Sequence, residues 1–146
     1  MAAYNAVMPG PSRPDRSRWL RIIAAISGIY DGLVGLVMLT AQGWLAAAFA
    51  VPLPRPPIHA DLNGVFLLAV AIGYLMPYRA PQRHRGYLWV MGVFLKGAGA
   101  LTFLLDHVFR HSPASFLLFA ASDGTLAVLT LWALLRVPPA ADSRAA

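Results

Sequence analysis

The chain has 146 residues, of which 58% are hydrophobic and only 12% charged, about half the charged share of an ordinary soluble domain. Its 12 Lys and Arg outnumber 6 Asp and Glu, for a net charge of +6, and it has no cysteine. Such a composition excludes a disordered chain, a disulfide scaffold and an all-β fold. It also excludes a soluble four-helix bundle, because four long apolar segments sharing three charges cannot each carry a polar stripe.

In chain order, residues 1–18, with Pro9, Gly10, Pro11, Pro14 and several arginines, read as a polar tail held near anionic headgroups. The first apolar segment is Ile22–Thr40. Its basic approach resembles a signal-peptide n-region, and Ala48-Phe49-Ala50 resembles a cleavage site. The stretch Ile22–Leu39 is nevertheless too long for a usual signal core and contains Asp31, so it is read as a retained span. Ala41–Ala60 is the longest connection. Gln42–Ala50 is expected to lie in the interface as a short helix, with Trp44, Leu45 and Phe49 toward the acyl chains. Pro52, Pro54, Pro56 and Pro57 then impose an extended path.

The second segment, Leu62–Pro77, is short and can gain a turn from Ile58–Asp61. The basic turn Tyr78–Gly86 is brief enough to make spans two and three antiparallel neighbours. Tyr87–Leu105 forms the third segment, and the loop near His107–Ser112 leads to Pro113, which suits the first turn of the fourth segment, Pro113–Leu135. Each segment is close to the roughly 20 residues that cross a bilayer and is apolar on all sides. The predicted fold is all-α: an integral membrane bundle of four transmembrane helices over residues 19–136, with spans at about 20–40, 59–77, 87–106 and 113–136 and polar tails at 1–18 and 137–146.

The basic residues orient the bundle. With the N-terminus inside, the inner segments hold Arg13, Arg16, Arg18, Arg21, Arg79, Arg83, Arg85, Arg136 and Arg144, against Arg55 and Arg110 outside. The expected arrangement is N-in/C-in, multi-pass, in a bacterial-type inner membrane. Trp19, Trp89 and Trp132, with Tyr78 and Tyr87, then fall at the inner interface and Trp44 at the outer one, where an apolar ring with one polar tip is best placed.

Asp31, Lys96 and Asp123 are the intramembrane charges. An ionised group near the bilayer centre costs at least about 2.5–3.5 kcal/mol, so each is expected to face the bundle interior and find a partner. Small residues share their faces: Ser27, Gly28 and Gly35 with Asp31; Gly92, Gly99 and Ala100 with Lys96; Ala120 and Ala127 with Asp123. Asp31 and Asp123 lie at similar heights and Lys96 about one turn away, by residue count. Two carboxylates and one ammonium sum to a single negative charge, which a proton on the less well paired carboxylate would neutralise. Lys96 is the one lysine beside eleven arginines, and a buried lysine, unlike arginine, can release its proton. A structural ion pair that fixes helix register is the plainer role for this trio; a proton, ion or ligand role is the other.

A second polar group, His59, Asp61, Asn63, Asp106, His107, Arg110 and His111, falls at the outer rim, with His107 and His111 spaced i, i+4. It lacks a metal-ligand motif, so ordinary interface polarity is expected and no metal, with Asp61 and Asp106 pairing to His107 or Arg110. Asp31-Gly32 and Lys96-Gly97 form a faint internal echo. Gly97-x-Gly99 lies mid-membrane and is no phosphate loop; no catalytic triad or cofactor fingerprint is present. The arginines sit beside membrane ends, so the basic charge speaks for topology and lipid attraction and not for nucleic acid.

Asp31-Gly32 in a Gly/Ala-rich first span, the stretch Asp61–Gly73 followed by Tyr74, and the turn Pro77–Arg85 resemble the DoxX-like superfamily of small four-span bacterial membrane proteins over residues 20–136. The resemblance implies the four-span architecture and an accessory or anchor role in a membrane redox system, with no catalytic signature to carry over; the lack of cysteine speaks against thiol chemistry in this chain. The expected function is thus a non-catalytic subunit, in contact with the bilayer and with a larger membrane protein or further copies of itself. Two alternatives are a proton-coupled carrier using Asp31, Lys96 and Asp123 as a relay, and a site for a lipophilic ligand such as a quinone near Lys96.

Overall fold

The computed structural model describes residues 17–137; the two expected tails, with Arg13, Arg16 and Arg144, otherwise lie outside the described residues. Among these residues there is no strand. Four helices are long and apolar enough to cross a membrane: span one Arg18–Thr40, span two Ile58–Arg79, span three Arg85–Arg110 and span four Ala114–Arg136, of 23, 22, 26 and 23 residues. At about 1.5 Å per residue, all exceed the roughly 30 Å hydrocarbon layer. Their outer faces present Ile29, Ile72, Phe94, Leu118 and Leu135, all well exposed. Water would not tolerate such a surface on every helix, whereas lipid covers it. The protein is an all-α, four-helix, multi-pass membrane bundle.

The helix boundaries have local causes. Span two begins at Ile58, so the expected extra turn is present. It is interrupted at Tyr74, because Pro77 has no N–H to offer the Gly73 carbonyl, and resumes over Leu75–Arg79. Span three opens with Arg85–Tyr87, widens into a π-helix over Leu88–Leu95 and returns to α geometry over Lys96–Arg110. It stops where His111 adopts a left-handed conformation, φ 56°. Pro113 is not in the first turn of span four as expected; it precedes that turn in an extended conformation, and a 3-10 turn, Ala114–Phe116, starts the helix.

The expected short helix of the first loop is Gln42–Ala48. It ends in a Schellman arrangement, with Ala50 at φ 54°, its N–H on the Ala47 carbonyl and the Val51 N–H on the Ala46 carbonyl. Trp44 is exposed, as expected for the interface. Phe49 is not: its ring stacks on Phe116 and Phe119, 5.9 and 4.9 Å between centroids, because the cap turns the chain back over the bundle.

Packing follows the small residues. Span one lies on span two where Gly35 and Gly64 meet: a Cβ on Gly35 would stand 2.8 Å from the Gly64 carbonyl oxygen. Span three lies on span four where Gly92 admits Thr130. Span one also touches span four. Spans two and three, expected as neighbours, instead hardly touch beyond one end, where Tyr87 donates a hydrogen bond to the Val70 carbonyl at 2.6 Å and packs edge-on to Tyr74. At that end Gly73 makes room for the Tyr87 ring, where a Cβ would collide with it. Tyr87 is therefore half-buried inside the bundle, and its hydroxyl does not reach for an interface.

The end of the bundle that carries the first and last described residues holds the dense core, with Leu20, Ile23, Ala24, Val70, Tyr74, Leu88, Ala133, Leu134 and Val137 buried together. Trp19 and Trp132 meet edge to face there, at 6.1 Å. Arg85 caps span four, donating to the carbonyls of Val137 and Leu134 at 2.5 and 2.8 Å; a cation over helix C-terminal carbonyls is favourable. Arg18, Arg21, Arg79, Arg83 and Arg136 belong to this terminal end, while Arg55 and Arg110 belong to the opposite, distal end. The distal half is where the bundle opens.

Candidate functional site

Asp31, Lys96 and Asp123 converge. Lys96 Nζ donates to Asp31 Oδ1 at 2.7 Å and to Asp123 Oδ1 at 3.1 Å. The side chains of Asp31 and Lys96 are 5% exposed and that of Asp123 is 17% exposed. Asp123 is thus the less closely paired carboxylate. The side-chain ring of Tyr30 covers the ammonium, with Nζ 4.7 Å from its centroid. The Tyr30 hydroxyl is held by the Ser122 hydroxyl at 2.8 Å. One residue before Asp31 thus aligns with one residue before Asp123, and spans one and four are cross-linked directly beside the ion pairs.

The π-helical stretch places the lysine. Each π turn takes up more residues than an α turn, which changes the direction in which the following side chains leave the axis. Lys96 is the first residue after it and is buried, while Phe94, two positions earlier, points to the outside. Gly92, within the π segment, accepts Thr130 at a distance no side chain would permit. Of the small residues expected around the charges, Ser27, Gly35, Gly92 and Ala127 are buried, while Gly28, Gly99, Ala100 and Ala120 are only partly so.

Above the trio, toward the distal end, lies a cavity of about 690 Å³. Tyr30, Asp31, Lys96 and Asp123 form its polar inner end and Gln42, His59 and Asn63 its polar rim; Val34, Met38, Phe66, Leu67, Val70, Leu95, Gly99 and Phe103 form much of its wall. The loop helix roofs it with Leu45, Ala46 and Phe49, and Phe116 and Phe119 close the span-four side. Two hydrogen bonds hold that roof. Gln42 Nε2 donates to Asp61 Oδ1 at 2.5 Å, and Ser115 Oγ donates to the Phe49 carbonyl at 2.7 Å. The cavity's side lies between spans two and three, because nothing brings those helices together beyond Val70, Tyr74 and Tyr87. On the other side of Asp31, toward the terminal end, the Ser27 and Tyr74 hydroxyls are buried next to each other.

The rim residues do not form one cluster. Asp61 accepts from Gln42 and not from His107 or Arg110. Asn63 Nδ2 points to Met38 Sδ at 3.7 Å, and His59 is exposed at the cavity mouth. On span three, Asp106 pairs with Arg110 at 3.1 Å, as expected, and His107 Nδ1 lies 2.7 Å from the Ser112 carbonyl. His111 is beyond the helix end, so the i, i+4 relation to His107 does not place the two imidazoles on one face. The separation of spans two and three divides the rim. Among the described residues no three His, Asp or Glu side chains are grouped to hold a metal ion.

Tyr30, Ser122 and the rings of Phe103, Phe116 and Phe119 belong to the site without having been singled out in the sequence, and Phe49, expected to face lipid, joins them. The adjacency of Tyr30 to Asp31 and of Ser122 to Asp123 was the available signal. No protein-family model, curated protein or solved structure matches the chain.

Proposed function

We propose that this integral membrane protein binds a lipophilic small molecule bearing a polar head, the head against Asp31, Lys96 and Asp123 and the body in the cavity roofed by the loop helix. The observation that supports it is the cavity itself. About 690 Å³, mostly apolar, with a charged trio at its inner end and a few polar side chains at its rim, is the form of a small-molecule site. Its side between spans two and three gives such a molecule a path from the lipid. An accessory or anchor role beside a larger membrane protein or further copies of the chain fits the same site, since the bundle would hold the lipophile within the bilayer for a partner. A quinone is one member of this class. The excess of arginine at the terminal end supports cytoplasmic termini in an inner membrane.

The test is retention of a lipophile by the protein purified in mild detergent, read by native mass spectrometry. The expected result is a bound small molecule on the wild type that is absent from Gly99→Trp, whose ring fills the cavity beside Asp123. Equal occupancy of wild type and a folded Gly99→Trp would overturn the proposal.

The buried Ser27 and Tyr74 hydroxyls favour a second reading. They extend the polar line from Asp31 toward the terminal end, as a proton-coupled carrier using the trio as a relay would need. In liposomes loaded with a pH dye, Asp31→Asn, Lys96→Ala and Asp123→Asn would each abolish proton flux; wild-type flux in all three would end this reading.

A further inference from the structure

We propose that the occupant of the cavity is a lipophilic monocation, such as a hydrophobic amine or phosphonium, and not an anion or a hydrogen-bond acceptor. This rests on the lipophile-binding reading above and narrows it. The first ground is donor capacity. An ammonium has three N–H donors. Asp31 and Asp123 accept two from Lys96, and the Tyr30 ring covers the cation. At the trio itself little donor capacity is left for a carbonyl or carboxylate head; the cavity's other N–H donors, on Gln42, His59 and Asn63, belong to its distal rim. Acceptor capacity is left over, because each carboxylate gives only Oδ1 to Lys96, and neither Oδ2 is bonded to another described group. Asp123 Oδ2 lies beside Gly99, on the cavity wall.

The second ground is charge. Two carboxylates against one ammonium leave one formal negative charge, and in a low-dielectric site a single positive charge balances it. The charged and titratable groups facing Asp123 are Lys96 from span three and Asp31 and Tyr30 from span one; the span-two wall, Phe66, Leu67 and Val70, contributes none, and His59 stands at the mouth. A cationic head supplies that balancing charge.

The third ground is the wall. Tyr30, Phe49, Phe66, Phe103, Phe116 and Phe119 present six aromatic rings to the cavity. Ring faces attract cations, and they do so more strongly once water is removed. Anions gain nothing comparable from them.

Tetraphenylphosphonium and tetraphenylborate test the proposal, since they share shape and apolar area and differ in sign. The full chain in nanodiscs of uncharged lipid is dialysed against each ion, with empty nanodiscs as the reference and a neutral aromatic probe, diphenylhexatriene, alongside. The expected result is phosphonium binding about tenfold or more tighter than borate binding, with that preference falling below about threefold in Asp123→Asn and in Asp31→Asn while the neutral probe still binds both variants. Equal binding of the two ions by the wild type would overturn the cation assignment and leave the lipophile site standing. A preference that persists in both folded variants would overturn it as well, because the trio would not be its source. Binding of none of the three probes above the empty-disc level would remove the lipophile site, and the cation assignment with it.

Discussion

Lys96 is the residue on which the interior depends. Its ammonium answers two carboxylates, 2.7 and 3.1 Å away, at the inner end of the cavity. Removing one member of a buried ion group leaves its partners charged and unpaired, at a cost of about 3–5 kcal/mol, whereas replacing the whole group by uncharged residues of similar volume is often neutral. Lys96→Met is therefore expected to lower stability by about 3–5 kcal/mol, and the triple change Asp31→Asn, Lys96→Met, Asp123→Asn to recover most of the loss. Denaturation of the purified variants in mixed micelles would show this; a triple variant no more stable than Lys96→Met would contradict it. The three charges were legible in the sequence because an ionised group in an apolar span is costly enough to demand a partner, and their small neighbours marked the inward faces. Tyr30 and the phenylalanines were not. In a membrane span an aromatic side chain facing lipid and one lining a cavity have the same composition signature.

At the scale of elements, close approach and irregular helix share the work. Glycine at positions 35, 64 and 92 lets spans one and two, and three and four, pack closely enough to fix which helices pair. A Cβ on Gly35 would meet backbone, the Gly64 carbonyl at 2.8 Å, which no rotamer change relieves. Gly35→Ala is expected to destabilise the bundle by about 1–3 kcal/mol, as overpacking does. Gly43→Ala, where a Cβ would meet nothing within 4 Å, is expected to leave the melting temperature unchanged. Thermal unfolding of the two variants side by side would check the contrast; equal melting temperatures would contradict the packing described. The π-helical segment Leu88–Leu95 could not be foreseen, because LWVMGVFL is apolar throughout and carries no period to interrupt. The rim misled for a related reason. Position along the chain gives depth in the membrane, and His59 and His107 do share a depth, but it does not give the direction around the bundle.

At the scale of the molecule, the distal half is held open while the terminal half is packed. The pairs one–two, three–four and one–four leave spans two and three apart, with a cavity between them and the ion-paired trio at its inner end. The four spans and their limits were readable from length and apolarity alone. The cavity was not, since it depends on which helices do not touch. Sidedness is accessible through single cysteines, because the chain has none of its own. Arg55→Cys is expected to react with an impermeant maleimide on intact cells and Arg83→Cys only after lysis; the reverse pattern would invert the orientation. The central claim, that Lys96 bridges two carboxylates inside the bilayer, has a more direct test. Selective ¹⁵N-lysine labelling gives one side-chain signal from this chain, as Lys96 is its only lysine. Solid-state NMR dephasing of that Nζ by ¹³C-labelled aspartate carboxyl carbons, in bilayers, is predicted to report two carboxyl groups within about 4 Å, one lost in Asp31→Asn and the other in Asp123→Asn. A signal with no carboxyl carbon in that range would contradict the account.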